Sequence, residues 1–133
     1  MTTLEAATFL ALAGDELAAA KLLLGAQHGR QASFHLQQAA ERLIQAVLTT
    51  ERIGFARTHQ LGAMAALLPE EHSWRADLAA LDELTSHATA YRFPLPNGNV
   101  PAPPDERELL AAVDRLARLL EILGDWCQSR QAA

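Results

Sequence analysis

A single cysteine, Cys127, leaves no partner for an internal disulfide and fits a reducing compartment. Aromatic residues make up only 5% of the chain, so its core must be assembled mainly from leucine and alanine. These are strong helix formers, while the strand-favouring Val, Ile and Tyr are scarce, so an all-α fold is expected. No run approaches the roughly 18 apolar residues of a membrane span. The opening MTTLEAATFLALAGDE lacks the basic start of a signal peptide and meets acidic residues early, which predicts a cytoplasmic protein. There is no HExxH, no paired cysteine and no carboxylate–histidine pair at ligand spacing, so neither a metal nor a cofactor is expected. Internal repeats are absent. With 133 residues, half of them hydrophobic, the chain suits one domain spanning 1–133.

A net charge of −5 argues against a general nucleic-acid coat. The charge is uneven. Residues 1–27 carry −2 and residues 60–133 carry −5, whereas residues 28–59 carry +2 and hold three of the five histidines, His28, His35 and His59. An anionic ligand should prefer that middle stretch.

Hydrophobic spacing predicts an up-and-down antiparallel bundle of about five helices. Leu10, Ala13, Leu17, Ala20 and Leu24 recur three and four apart over a first helix, about Thr3–Gly25. Gln27-His28-Gly29 reads as a turn. A second helix starts at Ser33 or nearer Arg30, carries Leu36, Ala39, Ala40, Leu43, Ile44, Val47 and Leu48 on one face, and stops at Gly54. Its other side presents His35, Gln38, Arg42 and Gln45, which reads as a polar face. Thr58 is placed to cap a third helix, about His59–Leu68, closed by Pro69. A fourth, about Ser73–Tyr91, points Leu78, Leu81, Leu84 or Thr85, and Ala88 inward; His72 and His87 read as surface or cap residues.

Residues 93–104 (FPLPNGNVPAPP) hold five of the six prolines and form an exposed loop. Asp105, with Glu108 at the capping-box position, starts a last helix over 105–130. Leu109, Val113, Leu116, Leu120, Leu123 and Cys127 form one apolar row, which places Cys127 as a buried thiol. Leu110, Leu119, Ile122 and Trp126 form a second row. Two rows exceed what one core needs, so a homodimer is expected, with Leu119, Ile122 and Trp126 at its interface.

His35, Gln38 and Arg42 could grip a phosphate and a base edge, because Arg binds phosphate bidentately and Gln offers both donor and acceptor. A solvated polar face is the competing reading. Metal-free RNA cleavage pairs a base for the 2′-hydroxyl with a cation for the developing charge. Arg30-x4-His35 and Arg52-x6-His59 have such spacings, but ten Arg and five His make coincidences common.

The run Phe34-His35-Leu36-Gln37-Gln38-Ala39-Ala40-Glu41-Arg42 resembles the "FHxQQAAEK" stretch of the HEPN family of small helical domains, with Arg42 for its Lys. Asp15, Ala19, Leu22 and Leu23 fit that family's first helix, and Thr58-His59-x-Leu61 its "THdL" turn. Ala90-Tyr91-Arg92-Phe93-Pro94 is similar to its "aRYP" segment, with Phe for Tyr. The likeness is close over 15–94. The resemblance implies a helical bundle, usually homodimeric, associated with nucleotide or RNA chemistry and often paired with a minimal nucleotidyltransferase in toxin–antitoxin or substrate-binding systems. Some members are ribonucleases with a C-terminal Arg-x(4–6)-His motif. Beyond Arg75 this chain has none, so no catalytic residue is assigned.

Three readings follow. The first is a nucleotide- or RNA-binding accessory protein, the second a ribonuclease toxin, the third a module for dimerisation and docking. In the first, His35, Gln38, Arg42, Arg57, Thr58, His59, Tyr91 and Arg92 line one cleft, with Arg42 and Arg92 as cations and Tyr91 as a stacking surface.

Overall fold

A computed structural model describes residues 3–132, and they form an all-helical bundle. Helix α1 (Thr3–Gly25) and helix α2 (Gly29–Thr50) make a hairpin. Short α3 (Leu61–Ala65) and α4 (Arg75–Ala79) follow, and α4 runs on as a 3-10 helix over Ala80–Ala88, the two together forming a third strut of the bundle. Helix α5 (Glu106–Ala132) completes it. Spacing predicts an α-helix throughout 73–91; the second half of that segment winds as 3-10 instead.

Alternation of direction follows from what meets along α2. His72 bonds Glu51 near the end of α2, while His87 lies beside the Ser33 backbone near its start, so this segment runs antiparallel to α2. Arg130 meets Glu51, and Leu109 packs where a side chain on Gly29 would sit, so α5 runs parallel to α2. The order along the chain is therefore down, up, down, up.

Both long-helix ends are set by residues other than glycine. After α1 the His28 and Gln27 amides return to Leu23 O and Leu24 O, with Gln27 at φ 66°. After α2 the Ile53 and Arg52 amides return to Leu48 O and Thr49 O, with Arg52 at φ 61°. Both are Schellman closures, which satisfy carbonyls the helix leaves open. Arg52, not the anticipated Gly54, ends α2. At the start of α5 the Asp105 carboxylate accepts the Arg107 amide at 2.7 Å, as its place in the sequence suggests.

Helix α2 lies at the centre. Leu36, Leu43, Ile44, Val47 and Leu48 are fully buried, against Leu17 and Ala20 of α1, Leu78 and Leu81 of the third strut, and Leu116 and Leu123 of α5. Cys127 is buried too, its thiol directed at Ala46 O and its pKa pushed up by burial, as an inert core thiol should be. The amides expected on a wet face are not wet. Gln38 and Gln45 are buried, as is Gln37, because α1, α3, the third strut and α5 all pack against α2.

The second row on α5 divides in the same way. Leu119 is 8% exposed and belongs to this core, and Trp126 is partly buried, packing edge-on against His72 and Trp74. Ile122, 48% exposed, and Leu110 remain on the outer surface.

Candidate functional site

The expected single cleft separates into two places, one at the start of α2 and one along its middle. The first is a cleft of about 520 Å³ between the N-terminal turns of α2, the end of the 3-10 segment and the proline loop. Arg30, Phe34 and His35 come from α2, Tyr91 and Arg92 from the other wall, and Pro101 from the loop. Helical geometry makes this possible, since Arg30 and Phe34 are four residues apart and share a face. Three sequence-predicted residues, His35, Tyr91 and Arg92, are thus brought together.

Each wall is held. The Arg92 guanidinium carbon sits 4.1 Å above the Phe34 ring centroid, a cation–π contact. Phe34 meets the His35 ring edge-on at 5.4 Å, and Tyr91 meets the His87 ring at 5.3 Å. Burial pushes the pKa of the His87 imidazole below its ordinary value, so it stays neutral behind Tyr91. Its half-buried setting corrects the surface reading of that residue, as the 2.9 Å bond to Glu51 does for His72. Arg30 Nη1 donates to Pro101 O at 3.2 Å, tying the loop to α2. Within the loop, Gly98 N bonds Leu95 O and Leu95 N bonds Asn99 O, a turn closed by Gly98 at φ 83°.

Charge distinguishes this cleft. No carboxylate lines it, although the whole chain carries −5. The nearest acid to His35 is Glu16, 3.5 Å from Nδ1, and that nitrogen has no hydrogen-bond partner. Among the described residues neither Arg30 nor Arg92 makes an ion pair. The cleft therefore offers two cations, one of them stacked on an aromatic ring.

The second place gathers the rest of the expected site. Glu41, buried on α2, lies 2.8 Å from His59 Nδ1 and 3.5 Å from Arg42 Nη1. Arg42 Nη1 also donates to Gln45 Oε1 at 2.9 Å. Gln38 Nε2 donates to Gln37 Oε1 at 2.8 Å, and Gln37 Nε2 donates to His59 O at 3.2 Å. Gln38 and Arg42 are thus spent on neighbours and do not reach the cleft, which corrects their assignment to it. Thr58 Oγ1 accepts the Gln60 amide, so it shapes the turn before α3 and does not cap the helix expected from His59. Helix α3 begins at Leu61, whose amide bonds Thr85 Oγ1, while the Gly62 amide bonds Asp82 Oδ1. Glycine allows this close approach, since an added Cβ would stand 2.8 Å from the Asp82 carboxyl carbon. The Thr85 hydroxyl, which donates to Asp82 Oδ1 at 2.7 Å, does most to hold the pKa of that carboxyl below its ordinary value, with the Gly62 amide assisting. Thr58 and His59 border a separate shallow hollow with Asp82 and Thr85; Arg57 is exposed outside both places.

Arg30 and Phe34 were missing from the expected cleft. Their signal was available as the i, i+4 spacing that puts an arginine and a ring on one face, but it needed the partner wall to acquire meaning. Among the described residues no three His, Cys, Asp or Glu side chains group as a metal site would require, and no helix is long and apolar enough to cross a membrane.

Comparison with known proteins points one way. The model of the HEPN domain family matches residues 6–126. The crystal structure of TT1696 from Thermus thermophilus is similar over 90% of this chain and 96% of its own, at 25% identity and a TM-score of 0.73. The structure of ST0689, an archaeal HEPN homologue, is similar over 92% of this chain and 97% of its own, at 20% identity and a TM-score of 0.65. No curated protein matches the chain.

Proposed function

The chain belongs to the HEPN domain family, and on that premise we propose that it is a nucleotide- or RNA-binding accessory protein that takes a phosphate-bearing nucleotide in the cleft beside the proline loop. One observation carries the reading: a carboxylate-free cleft in an acidic protein holds Arg30 together with Arg92, the latter stacked over Phe34 and next to Tyr91. Arginine supplies charge-assisted bonds to phosphate, and flat side chains supply stacking for a base. The absence of carboxylates from the lining reduces the like-charge repulsion that an entering anion meets. The assembly we propose is a homodimer that docks a minimal nucleotidyltransferase, an enzyme class that handles the same ligands.

Calorimetric titration of the purified protein with nucleoside mono-, di- and triphosphates and a short single-stranded RNA tests this reading. Saturable binding that weakens as salt is raised is the expected result. Gel analysis of the same RNA after incubation separates binding from cleavage, and intact RNA is expected. Absence of binding to every member of the panel would overturn the proposal and leave a docking module in its place.

A further inference from the structure

Two arginines line one cleft, and their surroundings give them different work. We infer that Arg92 serves as a stacking shelf for the base of the bound nucleotide, while Arg30 takes its phosphate. This rests on the nucleotide-binding reading above and deepens it by naming which part of the ligand each arginine meets.

Arg92 is already one layer of a stack. Its guanidinium carbon lies 4.1 Å from the Phe34 centroid, so one face of the planar group is covered by the ring. The residue as a whole is exposed, and no ion pair occupies its edge among the described residues. A planar cation with one face on a ring offers its other face to a second flat group, and an unpaired base is the part of a nucleotide that is flat. The shelf is firmly seated. The Arg92 amide bonds Thr89 O at 3.1 Å, and the Phe34 ring is braced by the His35 edge at 5.4 Å.

Arg30 has no ring contact among the described residues, and one of its nitrogens donates to Pro101 O at 3.2 Å. A guanidinium has five N–H donors in a fork suited to phosphate, so the remaining donors are available for an anion. The bond to Pro101 fixes the group without neutralising it, because a carbonyl carries no net charge. Tyr91, backed by His87, forms the side wall rather than the base platform.

Lysine separates the two roles for Arg92, because it keeps the charge but has no plane to stack. The probes are adenosine 5′-monophosphate and ribose 5-phosphate, which share sugar and phosphate and differ only in the base. For the wild type, calorimetry should give an affinity for the nucleotide about tenfold or more above that for ribose 5-phosphate. Arg92→Lys should reduce that preference to within about threefold while leaving ribose 5-phosphate affinity nearly unchanged. Phe34→Leu, which removes the ring below the shelf, should shrink the preference in the same direction. Nucleotide affinity unchanged in Arg92→Lys would overturn the shelf. Equal wild-type affinity for the two probes would overturn it as well, while leaving phosphate binding in place. A wild type that binds neither probe would overturn the underlying mononucleotide reading along with the shelf. Melting temperatures within a degree or two of wild type for Arg92→Lys certify the comparison, since the residue is exposed and holds no core contact.

Discussion

His59 Nδ1 lies 2.8 Å from Glu41 Oε1, joining the turn before α3 to the buried middle of α2. The carboxylate is 4% exposed, whereas the imidazole is largely in water. Glu41 also stands 3.5 Å from Arg42, so a buried carboxylate is held between two partly exposed side chains. Glu41→Ala should therefore destabilise the fold by roughly 1–3 kcal/mol, the ordinary cost of stripping a buried hydrogen-bonding group from its partners. Glu41→Gln, which keeps the shape and one acceptor, should cost less. Urea denaturation of the three proteins gives the comparison, and equal midpoints for all would refute the bracing role.

Helix α2 supplies a paired test of packing. Leu43 is 1% exposed in the middle of the core, so Leu43→Ala should cost about 2–5 kcal/mol as a cavity mutation. Gln45, expected on a wet face, is 4% exposed and accepts from Arg42. Gln45→Ala should consequently cost about 1–2 kcal/mol, above the range for a free surface residue. A Gln45→Ala midpoint indistinguishable from wild type would return that residue to the surface.

Those two residues also mark how far the sequence can be read. The apolar stripe of α2 was legible because a 3.6-residue period puts Leu36, Leu43 and Val47 on one side. The burial of Gln37, Gln38 and Gln45 was not, because amides look alike whether they meet water or one another. Only the number of elements around α2 decides that, and this is a long-range property. The helix ends show the same limit. Gly54 reads as the stop of α2, yet Arg52 there and Gln27 after α1 adopt the positive φ, since the Schellman bonds offset a modest backbone strain. Of the site, His35, Tyr91 and Arg92 were legible from resemblance. Their separation from Arg42 and His59 runs along α2 and depends on where the neighbouring segments meet that helix.

Acid should weaken one end of the bundle in a predictable direction. Glu51 receives Arg130 Nε at 2.8 Å and sits 2.9 Å from His72 Nε2. The Trp74 amide donates to His72 Nδ1, so Nε2 carries the proton that Glu51 accepts. The Arg130 bond is the main reason the pKa of the Glu51 carboxyl lies below its ordinary 4.5, with burial opposing and His72 assisting. A lowered native value means the unfolded chain binds more protons, so this contribution is present above pH 4.5 and lost as pH falls through the native value. Arg130→Gln should melt below wild type at neutral pH, and the gap should close under acid. Melting curves from about pH 7 to about pH 3 read this directly; a gap independent of pH would show that Arg130 acts otherwise.

Self-association, if it uses the outer face of α5, should depend on Ile122 and Leu110, which are 48% and 50% exposed. Ile122→Glu places a charge on that face without entering the core, so it should shift a dimer near twice 14.4 kDa toward monomer while leaving the fold intact. Light scattering at micromolar concentration gives the masses. A dimer unaffected by Ile122→Glu would place the contact elsewhere, and a monomeric wild type would remove it.

The two arginines of α2 separate the cleft that was expected from the one that is built. Arg42 Nη1 contacts Glu41 and Gln45, so its charge is already paired with a carboxylate. Arg30 faces a cleft without carboxylates and spends one nitrogen on a backbone carbonyl. Removing Arg30 should delete a charge-assisted bond to the ligand, about 1.5–3 kcal/mol, or roughly 10- to 150-fold in affinity. Binding by Arg30→Ala should also respond less to added salt than binding by wild type, because one phosphate contact has gone. Arg42→Ala should leave affinity within about threefold and lower the melting temperature instead, since Glu41 loses one of its two bases. Nucleotide titrations of both variants at low and moderate salt provide the test. If Arg42→Ala loses the ligand while Arg30→Ala keeps it, the binding site belongs with Glu41 and His59 at the middle of α2.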